Sequence, residues 1–145
     1  MRAAPPASSS VRLCRLSSSG EVRRSACTAD EGAAILSNDG ASLSISATSF
    51  TNCRASAGSG GAISVATGST MTLTTSVFDN CTAAGSGGAI SIASTESMTL
   101  STLVFDKCSA EGNGGGVHTS DGSALTVSTS AFNECSSQMS GGALP

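Results

Sequence analysis

The sequence predicts an all-β solenoid, a right-handed parallel β-helix of four to five coils with about 27 residues in each, and three observations carry that prediction. Gly60-Gly61-Ala62 recurs as Gly87-Gly88-Ala89, as the three glycines Gly114 to Gly116, and as Gly141-Gly142-Ala143, each step 27 residues. In phase with these openings runs F-x-x-C, at Phe50 to Cys53, Phe78 to Cys81, Phe105 to Cys108 and Phe132 to Cys135, spaced 28, 27 and 27. Apolar residues between them alternate with period two, and neither an amphipathic 3.6-residue period nor the Leu and Asn pattern of leucine-rich repeats is present. A self-similar period of this length means units that bury a core only when stacked.

Residues 1–30 read as a disordered basic segment or as a degenerate N-terminal coil. Pro5, Pro6 and the triplet Ser8 to Ser10 mark residues 1–10 as linker. Val22 lies 28 before Phe50 and Cys27 lies 26 before Cys53, so residues 11–30 align as a weak coil suited to cap a solenoid. Residues 31–145 form the repeat domain, expected to be a piece of something longer.

From Gly32-Ala33-Ala34 the coils align column by column. The first strand carries Ile35, Ile63, Ile90, Val117 and Leu144, followed two residues on by Ser37, Val65, Ile92 and Thr119. A turn follows at Gly40, Gly68, Thr95 and Gly122, where glycine accepts φ > 0 without steric penalty. The second strand has aliphatic columns, Leu43, Met71, Met98, Leu125 and Ile45, Leu73, Leu100, Val127. Its alternate positions are hydroxylic: Ser44, Thr72, Thr99, Thr126 and Ser46, Thr74, Ser101, Ser128. Strand side chains alternate between faces, so aliphatics point one way and hydroxyls the other. The third strand carries the Phe and Cys columns and a small column, Ala55, Ala83, Ala110, Ser137, before the glycine corner. Three strands and three corners per coil are expected.

Composition sets the bounds. With 145 residues, 17 Gly, four Phe and no Trp or Tyr, the chain is one domain at most, and its core must be long and narrow. Net charge is −3, but residues 1–29 hold Arg2, Arg12, Arg15, Arg23 and Arg24 against Glu21, a balance of +4 that leaves −7 for the rest. Arg54 and Lys107 are the only bases of the repeat body, which excludes nucleic acid as a partner. No run of about 18 apolar residues exists to span a bilayer as a helix, and Met1 to Ala29 lacks the apolar stretch of roughly 7 to 15 residues that a secretory signal needs. An Arg-rich, Ser-rich, acid-poor start also fits an organellar transit peptide, the alternative to a chain that opens within a longer repeat array.

GGA followed by Ile, Val or Leu, with F-x-x-N midway to the next GGA, is the repeat of the chlamydial polymorphic outer membrane proteins, and residues 32–145 resemble it. In the family's Asn column this chain has Cys53, Cys81, Cys108 and Cys135, with Asn52 and Asn80 just before it. The resemblance implies a surface-exposed passenger β-helix used in adhesion or display.

Several residues invite chemistry. The Cys column reads either as an inward ladder of reduced thiols or as bridges such as Cys53 with Cys81 in an oxidising compartment. Zinc would need C-x-x-C pairs or His partners that do not accompany it. Thr51, Asp79, Asp106 and Asn133 form a column whose two carboxylates are solvated outside or hold a cation between them. Glycoside hydrolysis would need an acid pair about 5 to 9 Å apart in a cleft. His118, the only histidine, reads as an exposed strand residue. Asn80-Cys81-Thr82 is an N-x-T glycan acceptor if the chain is secreted from a eukaryotic cell.

The expectation is therefore a non-enzymatic cell-surface or secreted scaffold, extracellular or in an outer membrane, with no cofactor or metal. Phe50, Phe78, Phe105, Phe132 and the four in-phase cysteines form its structural ladder. The eight hydroxyls of strand two are its candidate binding face for a cell-surface or glycan partner. A pectin-lyase-like carbohydrate-active β-helix and an ice-binding β-helix are the alternatives, and open solenoid ends predict self-association.

Overall fold

A strand turns alternate side chains to opposite faces, so a strand of three to five residues offers a core only two or three of them. Strands that short bury little alone and must stack. The structure, a computed structural model, describes residues 11–13, 16–18, 21–25, 28–29, 35–37, 42–65, 68–93, 97–120 and 124–142. The chain enters through β1 (Val11–Leu13), β2 (Leu16–Ser18), β3 (Glu21–Ser25) and β4 (Thr28–Ala29). Four coils follow. The first is β5 (Ile35–Ser37), β6 (Ser42–Ser46), β7 (Thr48–Thr51) and β8 (Arg54–Ala55). The second is β9 (Ile63–Val65), β10 (Thr70–Thr74), β11 (Val77–Asp79) and β12 (Thr82–Ala83). The third is β13 (Ile90–Ile92), β14 (Ser97–Ser101), β15 (Val104–Asp106) and β16 (Ser109–Ala110). The fourth is β17 (Val117–Thr119), β18 (Leu125–Ser128), β19 (Ala131–Asn133) and β20 (Ser136–Ser137).

Equivalent strands of successive coils pair in parallel, forming four sheets that run the length of the stack: β1-β5-β9-β13-β17, β6-β10-β14-β18, β2-β3-β7-β11-β15-β19 and β4-β8-β12-β16-β20. Among the described residues, only β1 on β5 and β2 on β3 are antiparallel. Ile35 pairs with Ile63, Ile63 with Ile90 and Ile90 with Val117, so four rungs are separated by three full turns. The parallel β-helix expected from the repeat is what the chain forms.

Each coil nevertheless has four strands where three were expected. The third segment breaks because Asn52, Asn80, Lys107 and Glu134 take φ of 54°, 52°, 53° and 48°. A second set of left-handed residues, Ala47, Thr75, Thr102 and Thr129, with φ of 49°, 48°, 56° and 45°, separates strands two and three. Asn tolerates this region, but Thr is β-branched and avoids it, so that corner carried no sequence signal. The ladder still runs through both corners: Asn80 N–H donates to Asp106 O at 2.9 Å and Thr75 N–H to Ser101 O at 3.0 Å.

The alignment of Val22 with Phe50 is also corrected. Arg24 is the register partner of Phe50, and Val22 that of Thr48. Thr28 pairs with Arg54, a spacing of 26 that equally relates Cys27 to Cys53, although Cys27 itself lies outside the described residues. Residues 1–10, Cys14, Gly32 to Ala34, Gly40, Thr95, Gly122 and 143–145 lie outside them as well.

The double glycine has two separate causes. Gly60, Gly87, Gly114 and Gly141 sit at φ of 72°, 70°, 63° and 67°. Gly61, Gly88 and Gly115 have no room for a Cβ, which would strike the carbonyl oxygens of Gly88, Gly115 and Gly142 on the next rung. Ala62 and Ala89, third in the motif, are fully buried. Inside run Ile63, Val65, Met71, Leu73, Ile90, Ile92, Met98, Leu100 and the Phe and Cys columns, all 2% exposed or less except Phe132 and Cys135 in the fourth coil, which are half-buried.

This register makes a sharp prediction. Leu100 is fully buried and its neighbour Thr99 faces outward between Thr72 and Thr126. Leu100→Asp should abolish cooperative folding by burying an unpaired charge, whereas Thr99→Asp should shift stability by only about 0.5 kcal/mol. Thermal melts of the two variants check this, and equal effects would refute the assignment of faces.

Candidate functional site

The interior ladder comes first, because it positions the outer columns. Phe50, Phe78, Phe105 and Phe132 are register partners on β7, β11, β15 and β19. Their rings stack with centroids 4.6, 4.8 and 4.6 Å apart and interplanar angles of 5°, 8° and 3°. Such spacing is the strand separation itself, so ring and backbone repeat together. Three residues on, past the left-handed corner, the four cysteines point inward, none of them in a disulfide with another. Cys81 donates to Phe50 O, Cys108 to Phe78 O and Cys135 to Phe105 O, each at 3.6 Å and each one rung back. In a row of touching thiols, the sulfur that ionises first takes S–H bonds from both neighbours. That position falls to Cys108, which is drawn down, while contact with the neighbouring sulfurs and burial push Cys81 and Cys135 up.

Outside, the hydroxyl columns stand where the alternation put them. Ser44, Ser46, Thr72, Thr126 and Ser128 are exposed, and Thr74, Thr99 and Ser101 are half-buried, all on one parallel sheet. Ser128 Oγ donates to Ser101 Oγ at 3.2 Å. A third column, Ser42, Thr70 and Ser97, went unrecognised in the sequence although it continues the same two-residue alternation; there Thr70 Oγ1 donates to Ser42 Oγ at 3.1 Å. The face is thus a grid, repeating at about 4.8 Å between rungs and roughly 6.6 Å along each strand.

Round the next two corners, a groove of about 420 Å³ runs over β8, β12, β16 and β20, lined by Arg54, Thr82, Ser109, Glu111, Ser136 and Gln138 among others. Ala83 and Ala110, both buried, belong to the same strands and also border it. The sequence showed that small column without revealing the concavity.

The remaining candidates do not converge. Asp79 and Asp106 are register partners on the outer side of β11 and β15. Asp106 Oδ2 lies 3.9 Å from Nζ of the exposed Lys107, a pair worth little in water. Among the described residues, no group of three or more Cys, His, Asp or Glu is placed to hold a metal. Asn80 sits exposed at its corner with Nδ2 donating to Asn52 Oδ1 at 2.8 Å, a short amide ladder. The sequence pointed to that ladder only through two asparagines before two cysteines. At the other corner, buried Ser76 accepts from Thr48 N–H at 3.2 Å and donates to Thr74 O at 2.9 Å.

His118 is not the exposed strand residue expected. It is half-buried on β17, and its Nδ1 is buried without a hydrogen-bond partner.

A family model described as right handed beta helix region matches residues 8–143. No curated protein and no solved structure matches the chain. No helix among the described residues is long and apolar enough to cross a membrane.

Burial lowers the pKa of His118. The imidazole stays neutral to a lower pH in the fold than in the unfolded chain, which takes up a proton near pH 6.5, so this residue's effect on stability is absent well above about pH 6.5 and becomes a loss below it. His118→Ser, which copies Ser64 and Ser91 of the same column, should remove that acid-side loss. Melts at about pH 7.5 and pH 5.5 test it; an unchanged pH slope would contradict it.

Proposed function

The chain belongs to the right handed beta helix family, and from that premise we propose that it is a non-catalytic cell-surface or secreted scaffold whose outer sheets serve display and adhesion. The observation that carries this reading is the hydroxyl grid. Ser44, Thr72, Thr99 and Thr126, with Ser46, Thr74, Ser101 and Ser128, offer many similar weak donors and acceptors in register on one sheet instead of a few groups converging on a point. That arrangement suits repetitive, multivalent contact with a surface or glycan coat. The likeness of the GGA and F-x-x-C repeats to the polymorphic outer membrane proteins supports it from the sequence side. Localisation outside the cell or in an outer membrane, and not in an organelle, goes with it.

Antibody raised to the full chain should label intact, unpermeabilised source cells, and labelling only after permeabilisation would overturn the reading. Placing Lys at Thr72 and Thr99 together should then weaken binding of the purified chain to those cells at least several-fold while leaving its melting temperature nearly unchanged. Two other readings have an observation each. The groove beside Arg54 and Glu111 favours a carbohydrate-active, pectin-lyase-like role, and release of reducing ends from polysaccharide would establish it. The hydroxyl grid favours ice binding, and thermal hysteresis that vanishes in the same Lys variant would establish that.

Self-association goes with the fourth coil. Leu125, Val127, Phe132 and Cys135 are half-buried, where Met98, Leu100, Phe105 and Cys108 are fully covered, and β18, β19 and β20 pair on one side only among the described residues. Sedimentation should show oligomers growing with concentration, and a monomer throughout would contradict this.

A further inference from the structure

The cysteine column contains an asymmetry that the scaffold reading does not use. Cys53, Cys81 and Cys108 are fully buried, whereas Cys135 is half-open to solvent. Flanking pairs fix Cys108 and Cys135 opposite one another: Asp106 with Asn133 before them, Ser109 with Ser136 after them. Adjacent parallel strands lie about 4.8 Å apart, which places such Cα atoms inside the roughly 4.4 to 6.8 Å range of disulfides. Both thiols project to the same inward side, each held by contacts to carbonyl oxygens: Cys108 to Phe78 and Asp106, Cys135 to Phe105 and Asn133, at 3.5 to 3.6 Å. Those long sulfur contacts are weak, so rotating the two side chains toward each other gives up little.

We propose that Cys108 and Cys135 are a redox modification site: a low-molecular-weight disulfide enters at Cys135 and leaves an intramolecular bridge joining the third and fourth coils. Cys135 is the harder of the two to ionise but the one a reagent reaches, so its sulfur attacks RSSR and forms a Cys135–SR bond while its proton passes to the RS⁻ that is released. The Cys108 sulfur then attacks Sγ of Cys135 and expels the second RS⁻, which takes the Cys108 proton. The sum is two protein thiols and RSSR giving one protein disulfide and two RSH, with the protein oxidised by two electrons and the reagent reduced. Cys81 and Cys53 stay reduced because no reagent reaches them in the folded stack. Their order in the column also decides the pairing, since Cys108 is the only ladder thiol one rung from Cys135.

The sequence provides a clean assay. The only basic residues beyond residue 29 are Arg54 and Lys107, so trypsin releases residues 108–145 as one peptide carrying Cys108 and Cys135 and no other cysteine. Residues 55–107 carry Cys81 alone, and Cys53 leaves with Cys27. The folded full chain is incubated with oxidised glutathione, alkylated, digested and weighed. The 108–145 peptide should appear two hydrogens lighter and unalkylated, while Cys81 should be fully alkylated. Cys108→Ser should stop at the first step, leaving glutathione on Cys135, and Cys81→Ser should bridge as the natural chain does. Four results would each overturn the proposal: a 108–145 peptide that remains a dithiol, glutathione that persists on Cys135 of the natural chain, a bridge to another peptide or another copy, or a bridge that forms only in denaturant.

Discussion

Every feature of this molecule depends on parallel, in-register stacking of coils at the spacing of one β-strand. Once Ile63 must lie over Ile90 and Phe78 over Phe105, each residue's neighbour above and below is its own counterpart in the repeat. A column is then either wholly compatible with burial or wholly outside. Rings stack flat because their backbones do, with centroids no farther apart than 4.8 Å. Cys81, Cys108 and Cys135 fit beside the rings because each reaches the carbonyl of the Phe one rung back. The second glycine of each motif is fixed by the same closeness, since the next rung's carbonyl occupies the place of its Cβ.

That constraint explains how legible the chain was. The period, the stacked strands, the inward Phe and Cys columns and the outward hydroxyls were all readable, because a repeat shows its faces by doing the same thing several times. The left-handed corners at Thr75, Thr102 and Thr129 were not. Nothing in a Thr announces φ near 50°, and the strain is held there by coil-to-coil hydrogen bonds on either side. The N-terminal coil was misaligned by two residues because its spacing is 26 where the first full step is 28, and a two-residue slip preserves the alternation that sequence reading relies on. The groove was hidden for a different reason: a concavity depends on the curvature between sheets, which a small-residue column permits without specifying. His118 was misplaced because the column it shares with Ser64 and Ser91 is half-buried throughout, which alternation alone does not tell from exposed.

The inside and outside of the solenoid are therefore under different demands. The interior accepts little change, since one altered residue disturbs the rungs on both sides. The exterior is free to carry function, and here it carries hydroxyls in a regular array on one sheet and a polar groove on another. A stack of this kind suits a molecule that presents surface area, and the proposed redox bridge would tie the fourth coil, whose core is only partly covered, to the fully covered third.

The most direct test of the stacking is a set of ring-to-ring nuclear Overhauser contacts in the full chain, with the four phenylalanines labelled separately. The structure predicts contacts for Phe50 with Phe78, Phe78 with Phe105 and Phe105 with Phe132, and none for Phe50 with Phe105. Contacts that skip a rung, or rings that touch residues of the hydroxyl columns, would contradict it.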